Sequence, residues 1–191
     1  MDKTLLGWFS VIFTILSVAP YFYFIFTNKI KPHVFSWFIW FMLTAIAYFA
    51  STSAGAGPGA WATATICISC FFITLLSLKK GEKHITKTDW ASFITALLAL
   101  PLWYFTNDPL WSIILVSLID VLGYLPTMRK SFYKPYEESA FTHSIGVVKY
   151  IFALMALDTW AVATWFNPVA ISSANIALVV LLLVRRKQVR K

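Results

Sequence analysis

Charged side chains are scarce in this sequence, since Asp, Glu, Lys and Arg make up only 13% of its 191 residues. A soluble domain uses these residues about twice as often. Hydrophobic residues reach 59%, and the mean hydropathy is +0.72. The shortage of charge excludes an ordinary water-soluble domain and places the chain in a lipid bilayer.

Metal ligands and catalytic side chains are also sparse. The two cysteines, Cys67 and Cys70, lie inside an apolar run without a nearby His or a second Cys pair. A structural zinc site needs four such ligands, so the two thiols are interpreted as small packing residues. No nucleophile and base form a recognisable pair. The sequence therefore predicts no enzyme, no metal and no cofactor.

Apolar runs of the length that crosses a hydrocarbon core of about 30 Å recur along the chain. We identify seven, at 5–27, 33–51, 59–78, 90–105, 109–132, 139–157 and 168–184. Backbone N–H and C=O groups in lipid must be satisfied within the segment, which favours helices. The chain is therefore predicted to be an all-α membrane protein with seven transmembrane helices.

The basic residues indicate how these helices are oriented. Of the 16 Lys and Arg, all but Lys3 and Lys149 lie in alternate connections or in the C-terminal tail. Basic residues in short loops mark the cytoplasmic side. We predict an integral, multi-pass membrane protein with its N-terminus outside and its C-terminus cytoplasmic. Because topology accounts for the net charge of +8, nucleic-acid binding is not expected.

The two halves of the chain are copies of one unit. Lys31-Pro32 aligns with Lys134-Pro135, and this alignment also pairs Trp8 with Trp111, Val18 with Val121 and Tyr21 with Tyr124. An unmatched fourth helix between two three-helix units lets both units keep the same orientation. We predict two parallel three-helix bundles joined by a linker helix, in a 3+1+3 arrangement. The bundles occupy 1–80 and 108–191, the latter with a basic cytoplasmic tail, and the linker occupies 81–107.

A proline lies late in the first helix of each unit, at Pro20 and at Pro126. Pro126 opens a segment of the form P-[QT]-x-x-[KR]…S, which continues with Thr127, Arg129, Lys130 and Ser139. Together with the 3+1+3 arrangement, this segment resembles the PQ-loop (SWEET-like) superfamily. The resemblance implies a transporter that moves a small polar or amphipathic solute by alternating access, with both prolines as hinges. Neither proline is followed by Gln, so the resemblance does not supply the solute.

Asp120 is the most informative single residue, because a carboxylate in mid-span costs about 3 kcal/mol on insertion scales. It should therefore face the bundle interior. One interpretation is a site for a proton or a substrate cation, which resembles the acidic residue of proton-coupled members of the superfamily. The alternative is a buried ion pair with Lys149 that only joins two helices. Asp120 and Lys149 are thus the candidates for proton coupling, and both interpretations stay open.

Other candidates for solute binding lie on three of the predicted helices. Asn175 needs hydrogen bonds within a spanning helix, either in a solute site or as a contact between helices. Trp40 and Trp37 share a helix face and are suited to stacking on a flat or cationic solute. An aromatic belt at the membrane surface is the alternative for the two tryptophans. His143 and Ser36 complete the predicted site.

Taken together, these features favour a transporter whose site lies between the two bundles, near the middle of the membrane. The alternative is a membrane receptor or sorting protein that resembles the KDEL receptors and has no transport activity. The expected partners are a small-molecule solute and the lipid bilayer. Association into homo-oligomers stays open.

Overall fold

The described part of the chain is all-helical. The computed structural model describes residues 2–28, 32, 34–81, 90, 94, 108–133, 135–136 and 140–189. These residues contain six α-helices and one 3-10 helix, and no strand occurs among them. The α-helices are α1 (Lys3–Phe26), α2 (Val34–Ser53), α3 (Trp61–Lys80), α4 (Pro109–Tyr133), α5 (Ala140–Met155) and α6 (Val162–Gln188). The 3-10 helix, Gly57–Ala60, leads directly into α3.

Most of these helices are long and apolar enough to cross a membrane. This holds for α1, for α2, for α3 together with its 3-10 turn (Gly57–Lys80), and for α6. The remaining two, α4 and α5, contain shorter apolar stretches, at Leu110–Val121 and Ala140–Met155. The long apolar helices indicate an all-α protein that is embedded in a membrane.

The observed helix bounds lie near those of the predicted spans except at α6, which begins at Val162 rather than at residue 168. Pro168 therefore lies inside the helix. The cause is a side-chain cap, because Thr164 Oγ1 accepts a hydrogen bond from Ala161 N at 3.1 Å and donates one to the Thr159 carbonyl at 2.7 Å. Apart from Trp90 and Ile94, the predicted fourth span at 90–105 lies outside the described residues, as does nearly all of the linker at 81–107.

Helices α1 to α3 form a first set and α4 to α6 a second set, and both are joined at one end by the same kind of contact. Lys80, in the last turn of α3, donates from Nζ to the carbonyl of Phe26 at 3.2 Å. Arg185, in the last turn of α6, donates from Nε to the carbonyl of Phe132 at 2.9 Å. Carbonyls at a helix C-terminus lack intrahelical partners and attract cations. The basic residues thus attach the third helix of each set to its first.

The two sets also pack internally in the same way. In the first set α3 packs against both α1 and α2, and in the second α6 packs against both α4 and α5. Between the sets, α1 packs against α5 and α2 packs against α4. The first helix of each set therefore contacts the second helix of the other. Two copies of one unit related by a two-fold axis produce this pairing.

The loop after α2 and the loop after α5 meet at the end opposite Lys80 and Arg185. The backbone N–H groups of Asp158 and Thr159 donate to the carbonyls of Ala56 and Gly55, at 3.2 and 3.1 Å. Lys3 Nζ forms an ion pair with Asp158 Oδ1 at 3.5 Å. We call these five residues the interloop contact. Between described residues, the hydrogen bonds that join the two sets all belong to it.

An apolar cluster lies between the two sets beside the interloop contact. It is formed by the second half of α2 and the first half of α4, with one residue of α6: Leu43, Ile46, Ala47, Ala50, Ile113, Val116 and Ala163. These side chains are all buried. Alanine at several of these positions lets the helices approach closely, as is common in membrane helices. The two sets are therefore packed closely together at this end.

Candidate functional site

A cavity of about 390 Å³ lies between the two sets of helices, and all six helices contribute to its wall. The volume is in the range of small-molecule sites. Trp37 and Thr142, which line the cavity, stand in the first turns of α2 and α5. The cavity therefore extends toward the end opposite the interloop contact, which we call its open end.

Most of the residues singled out by the sequence meet in this cavity. The second set of helices contributes three ionisable side chains and one amide, from Asp120, His143, Lys149 and Asn175. The first set contributes an aromatic pair, Trp37 and Trp40. Their spacing of six residues on one helix predicted that only one of His143 and Lys149 would face the cavity, and this prediction is wrong, since both line it. They do so because α5 presents one broad face to α1 and α6, with Gly146 between them.

Two of the predicted site residues, Ser36 and Pro20, lie outside the lining of the cavity. Ser36 stands in the first turn of α2 and is not among the lining residues, because the lining side of that helix carries Trp37, Trp40 and Thr44 at helical spacing. Pro20 lies inside α1 with an exposed side chain. Pro126 lies within α4, and its side chain is outside the described part.

Asp120 and Lys149 share the cavity without forming the ion pair that was one interpretation of the sequence. No Lys149 nitrogen lies within 4.0 Å of an Asp120 oxygen. The Asp120 carboxyl lies next to the Asn167 side chain, whose Nδ2 donates to Ser117 Oγ at 3.1 Å. The Lys149 ammonium lies 4.7 Å from the centroid of the Tyr150 ring. The Asp120 carboxyl and the Lys149 ammonium thus each contact a neutral side chain rather than a group of opposite charge.

Asn175 links three helices by hydrogen bonds. Its Nδ2 donates to the hydroxyl of Tyr124 on α4 at 2.9 Å and to the carbonyl of Ile171 at 2.8 Å. Its Oδ1 lies 2.8 Å from Nδ1 of His143 on α5. A carbonyl only accepts, so the contact with Ile171 assigns the orientation of the amide. Asn175 Oδ1 must then accept, and Nδ1 of His143 carries the proton.

Gly146 makes the approach of Asn175 to α5 feasible. A Cβ atom at position 146 would lie 3.2 Å from Asn175 Oδ1. That distance is shorter than an ordinary van der Waals contact, so a larger residue would push the amide away from His143. The glycine therefore preserves the hydrogen bond that sets the tautomer of His143.

The first set supplies an aromatic wall. Trp37 Nε1 donates to the hydroxyl of Tyr21 at 3.2 Å, and the Trp37 and Trp40 rings meet edge to face at 5.0 Å between centroids. Trp40 lines the cavity while 42% of its surface is exposed. Such rings can stack on the apolar or flat part of a small molecule.

The internal repeat is visible in the wall itself. In the alignment of the two halves, Ser17 pairs with Asp120, Tyr21 with Tyr124, and Trp40 with His143, and all six residues line the cavity. The two tyrosines were not selected from the sequence, although their pairing in the repeat was the signal that could have found them. Cys70, interpreted as a packing residue, is buried and also lines the cavity.

In comparisons with known proteins, no family model, no curated protein and no solved structure matches the chain. The resemblance to the PQ-loop superfamily therefore rests on the sequence features alone.

Proposed function

We propose that the chain is a membrane transporter that moves a small polar or amphipathic solute by alternating access. The observation that carries this proposal is a cavity between two equivalent sets of helices, closed at one end and extending to the other. A solute would enter from the open end and lie between the sets. Separation of the interloop contact, with closure at the opposite end, would release it on the other side.

The helix packing supports a PQ-loop-like architecture for the whole chain. We infer two parallel three-helix bundles, α1 to α3 and α4 to α6, with residues 81–107 providing the linker helix and bringing the number of spans to seven. The reciprocal contacts of α1 with α5 and α2 with α4 fit this arrangement. We propose that the open end is on the cytoplasmic side, because α3 and α6 carry basic residues in their last turns and basic residues mark that side. The N-terminus is then outside, together with the interloop contact.

In this proposal, proline provides a point at which the first helix of each bundle can bend. Pro20 has no N–H, so the carbonyl of Leu16 lacks its intrahelical partner. A helix interrupted in this way bends at lower cost than a regular one. Pro126 occupies a comparable place late in α4. Bending at both positions would change the width of the open end.

We propose Asp120 as the site of proton coupling. Its carboxyl lies in a spanning helix, lines the cavity and has no ion-pair partner among the described residues. A carboxylate in that setting is costly while it is ionised, so uptake of a proton is favourable when no cation is present. Proton binding from one side and release to the other would couple the solute to a pH gradient.

Solute flux into liposomes tests both proposals. Purified protein is reconstituted, and uptake of labelled sugars, amino acids and vitamins is measured with and without an imposed pH gradient. We expect flux of at least one solute class that the gradient increases. Asp120→Asn should abolish the gradient-driven part while preserving solute exchange, because the amide cannot release a proton.

The matched control is Lys79→Met, which changes an exposed residue at the end of α3. Unchanged gradient dependence in Asp120→Asn would refute the proton site. Absence of flux for every solute, together with tight binding of a peptide, would favour the receptor alternative over transport.

A further inference from the structure

Lys149 is a buried cation without an anionic partner among the described residues. Its exposed fraction is 7%, it lines the cavity, and its ammonium contacts the ring of Tyr150 at 4.7 Å from the centroid. No carboxylate of the described residues lies within 4.0 Å of it. A charge removed from water is stable only when it is paired or hydrogen-bonded. The aromatic face supplies part of that interaction and leaves the rest to a molecule in the cavity.

The position of Lys149 orients such a molecule. Both His143 and Lys149 lie on α5, six residues apart, which is about 9 Å along the helix axis. Since α5 begins at the open end, Lys149 lies deeper than His143. The aromatic pair Trp37 and Trp40 stands near the start of α2 and therefore near the open end. The charged part of the cavity is deep, and the aromatic part is close to the entrance.

The single ammonium of Lys149 favours a monoanion over a dianion. In the described lining, Lys149 is the single lysine or arginine side chain. A phosphate dianion usually recruits several cations or a row of backbone N–H groups. One ammonium matches one carboxylate.

We propose that Lys149 binds the carboxylate of a small amphipathic solute whose apolar or aromatic body lies against Trp37 and Trp40. This inference rests on the proposed transport function, for which it names the solute class. The carboxylate could belong to a simple monocarboxylate or to an amino acid. An amino acid would place its ammonium toward Asp120, which lines the same cavity, whereas a monocarboxylate would not need that residue.

Four probes with one aromatic body and different head groups test the proposal: 3-phenylpropionate, phenylalanine, 3-phenylpropionamide and phenethylamine. Binding to the full-length protein in nanodiscs is measured by calorimetry. We expect at least one of the two carboxylates to bind, and the amide and the amine to bind at least about 10-fold more weakly, because an unpaired buried charge is strongly unfavourable.

Variants assign the contact to Lys149. Lys149→Met removes the charge at similar size and should weaken carboxylate binding at least about 10-fold. Lys149→Arg keeps the charge and should retain most of the affinity, while Lys79→Met serves as the exposed control. Asp120→Asn should weaken phenylalanine and spare 3-phenylpropionate, which distinguishes the two sources of the carboxylate. Monodisperse elution of each variant confirms that it is folded.

The inference is overturned if neither carboxylate binds, if the amide binds as tightly as the acid, or if Lys149→Met leaves carboxylate affinity unchanged. Its failure is distinguishable from failure of the proposed function. Flux of a neutral solute that is insensitive to Lys149→Met would leave transport intact and remove the carboxylate site. Carboxylate binding that depends on Lys149, without flux of any solute, would support the carboxylate site and refute transport.

Discussion

Replacing Asn175 with Ala should loosen the contact between α6 and its two neighbours, α4 and α5. The substitution removes the hydrogen bonds to Tyr124 and to His143, which join separate helices, and the bond to Ile171 within α6. The bond to Ile171 shares a carbonyl that the helix backbone already uses. The expected loss of stability therefore comes mainly from the two bonds between helices.

The magnitude follows from hydrogen bonds measured between membrane helices, which average about 0.6 kcal/mol and reach about 1.7 kcal/mol. Two such bonds give a loss of about 1–2 kcal/mol for Asn175→Ala. Asn167→Ala is the comparison variant, because Asn167 also makes two contacts from α6 to α4, a hydrogen bond to Ser117 at 3.1 Å and one with the Asp120 carboxyl. It should lose about as much. Reversible unfolding in mixed micelles, followed by tryptophan fluorescence, measures both values.

A double-mutant cycle isolates the contact with Tyr124. Tyr124→Phe removes the hydroxyl that accepts a hydrogen bond from Asn175. The cycle compares the loss of stability in Tyr124→Phe, in Asn175→Ala and in the double variant. We expect a coupling energy of about 0.6 kcal/mol. Additive losses, with a coupling energy near zero, would refute the inferred chain of hydrogen bonds from Tyr124 through Asn175 to His143.

Two further perturbations follow from the geometry. Gly146→Ala should displace Asn175 Oδ1, which lies 3.2 Å from the added Cβ position, and so lower the share of the Nδ1–H tautomer of His143. ¹⁵N-histidine NMR resolves the tautomers of the chain's 3 histidines. A spectrum of His143 that is unchanged by the substitution would contradict the assigned tautomer. A disulfide can form in the double variant Gly55→Cys with Thr159→Cys, because a Cβ at position 55 would lie 3.4 Å from the Cβ of Thr159, close to the separation in disulfides. This disulfide should lock the interloop contact and stop solute flux until a reductant is added. Gly55 has a φ of +82°, so the single Gly55→Cys variant is the control for backbone strain. Continued solute flux in the oxidised double variant would argue against opening at the interloop contact.

Helix positions were largely predictable from the sequence, because lipid requires continuous apolar segments and the basic residues end them. The start of α6 was not, since it depends on Thr164 contacting the backbone of residues 159 and 161. Hydrophobicity carries no information about such a cap. The apolar pattern instead suggested that the helix begins at Pro168.

Side-chain partners in the cavity were less predictable than its presence. Asp120 and Lys149 stand out in apolar helices, but a sequence cannot tell whether two charges on different helices meet. The hydrogen bonds of Asn175 depend on a helix approach that a glycine permits on another helix, at Gly146. Tyr21 and Tyr124 cannot be distinguished from the many other aromatic residues by composition, but their pairing in the repeat identifies them as candidates.

The interloop contact uses main-chain atoms on both sides, with the amides of Asp158 and Thr159 meeting the carbonyls of Ala56 and Gly55. Such bonds persist through most side-chain replacements, since every residue except proline carries the same donor. The interloop contact and the cavity wall are thus under separate chemical constraints. In the proposed transporter, substitutions in the wall would alter which solute is accepted without weakening closure, so one closing contact would serve proteins of quite different selectivity.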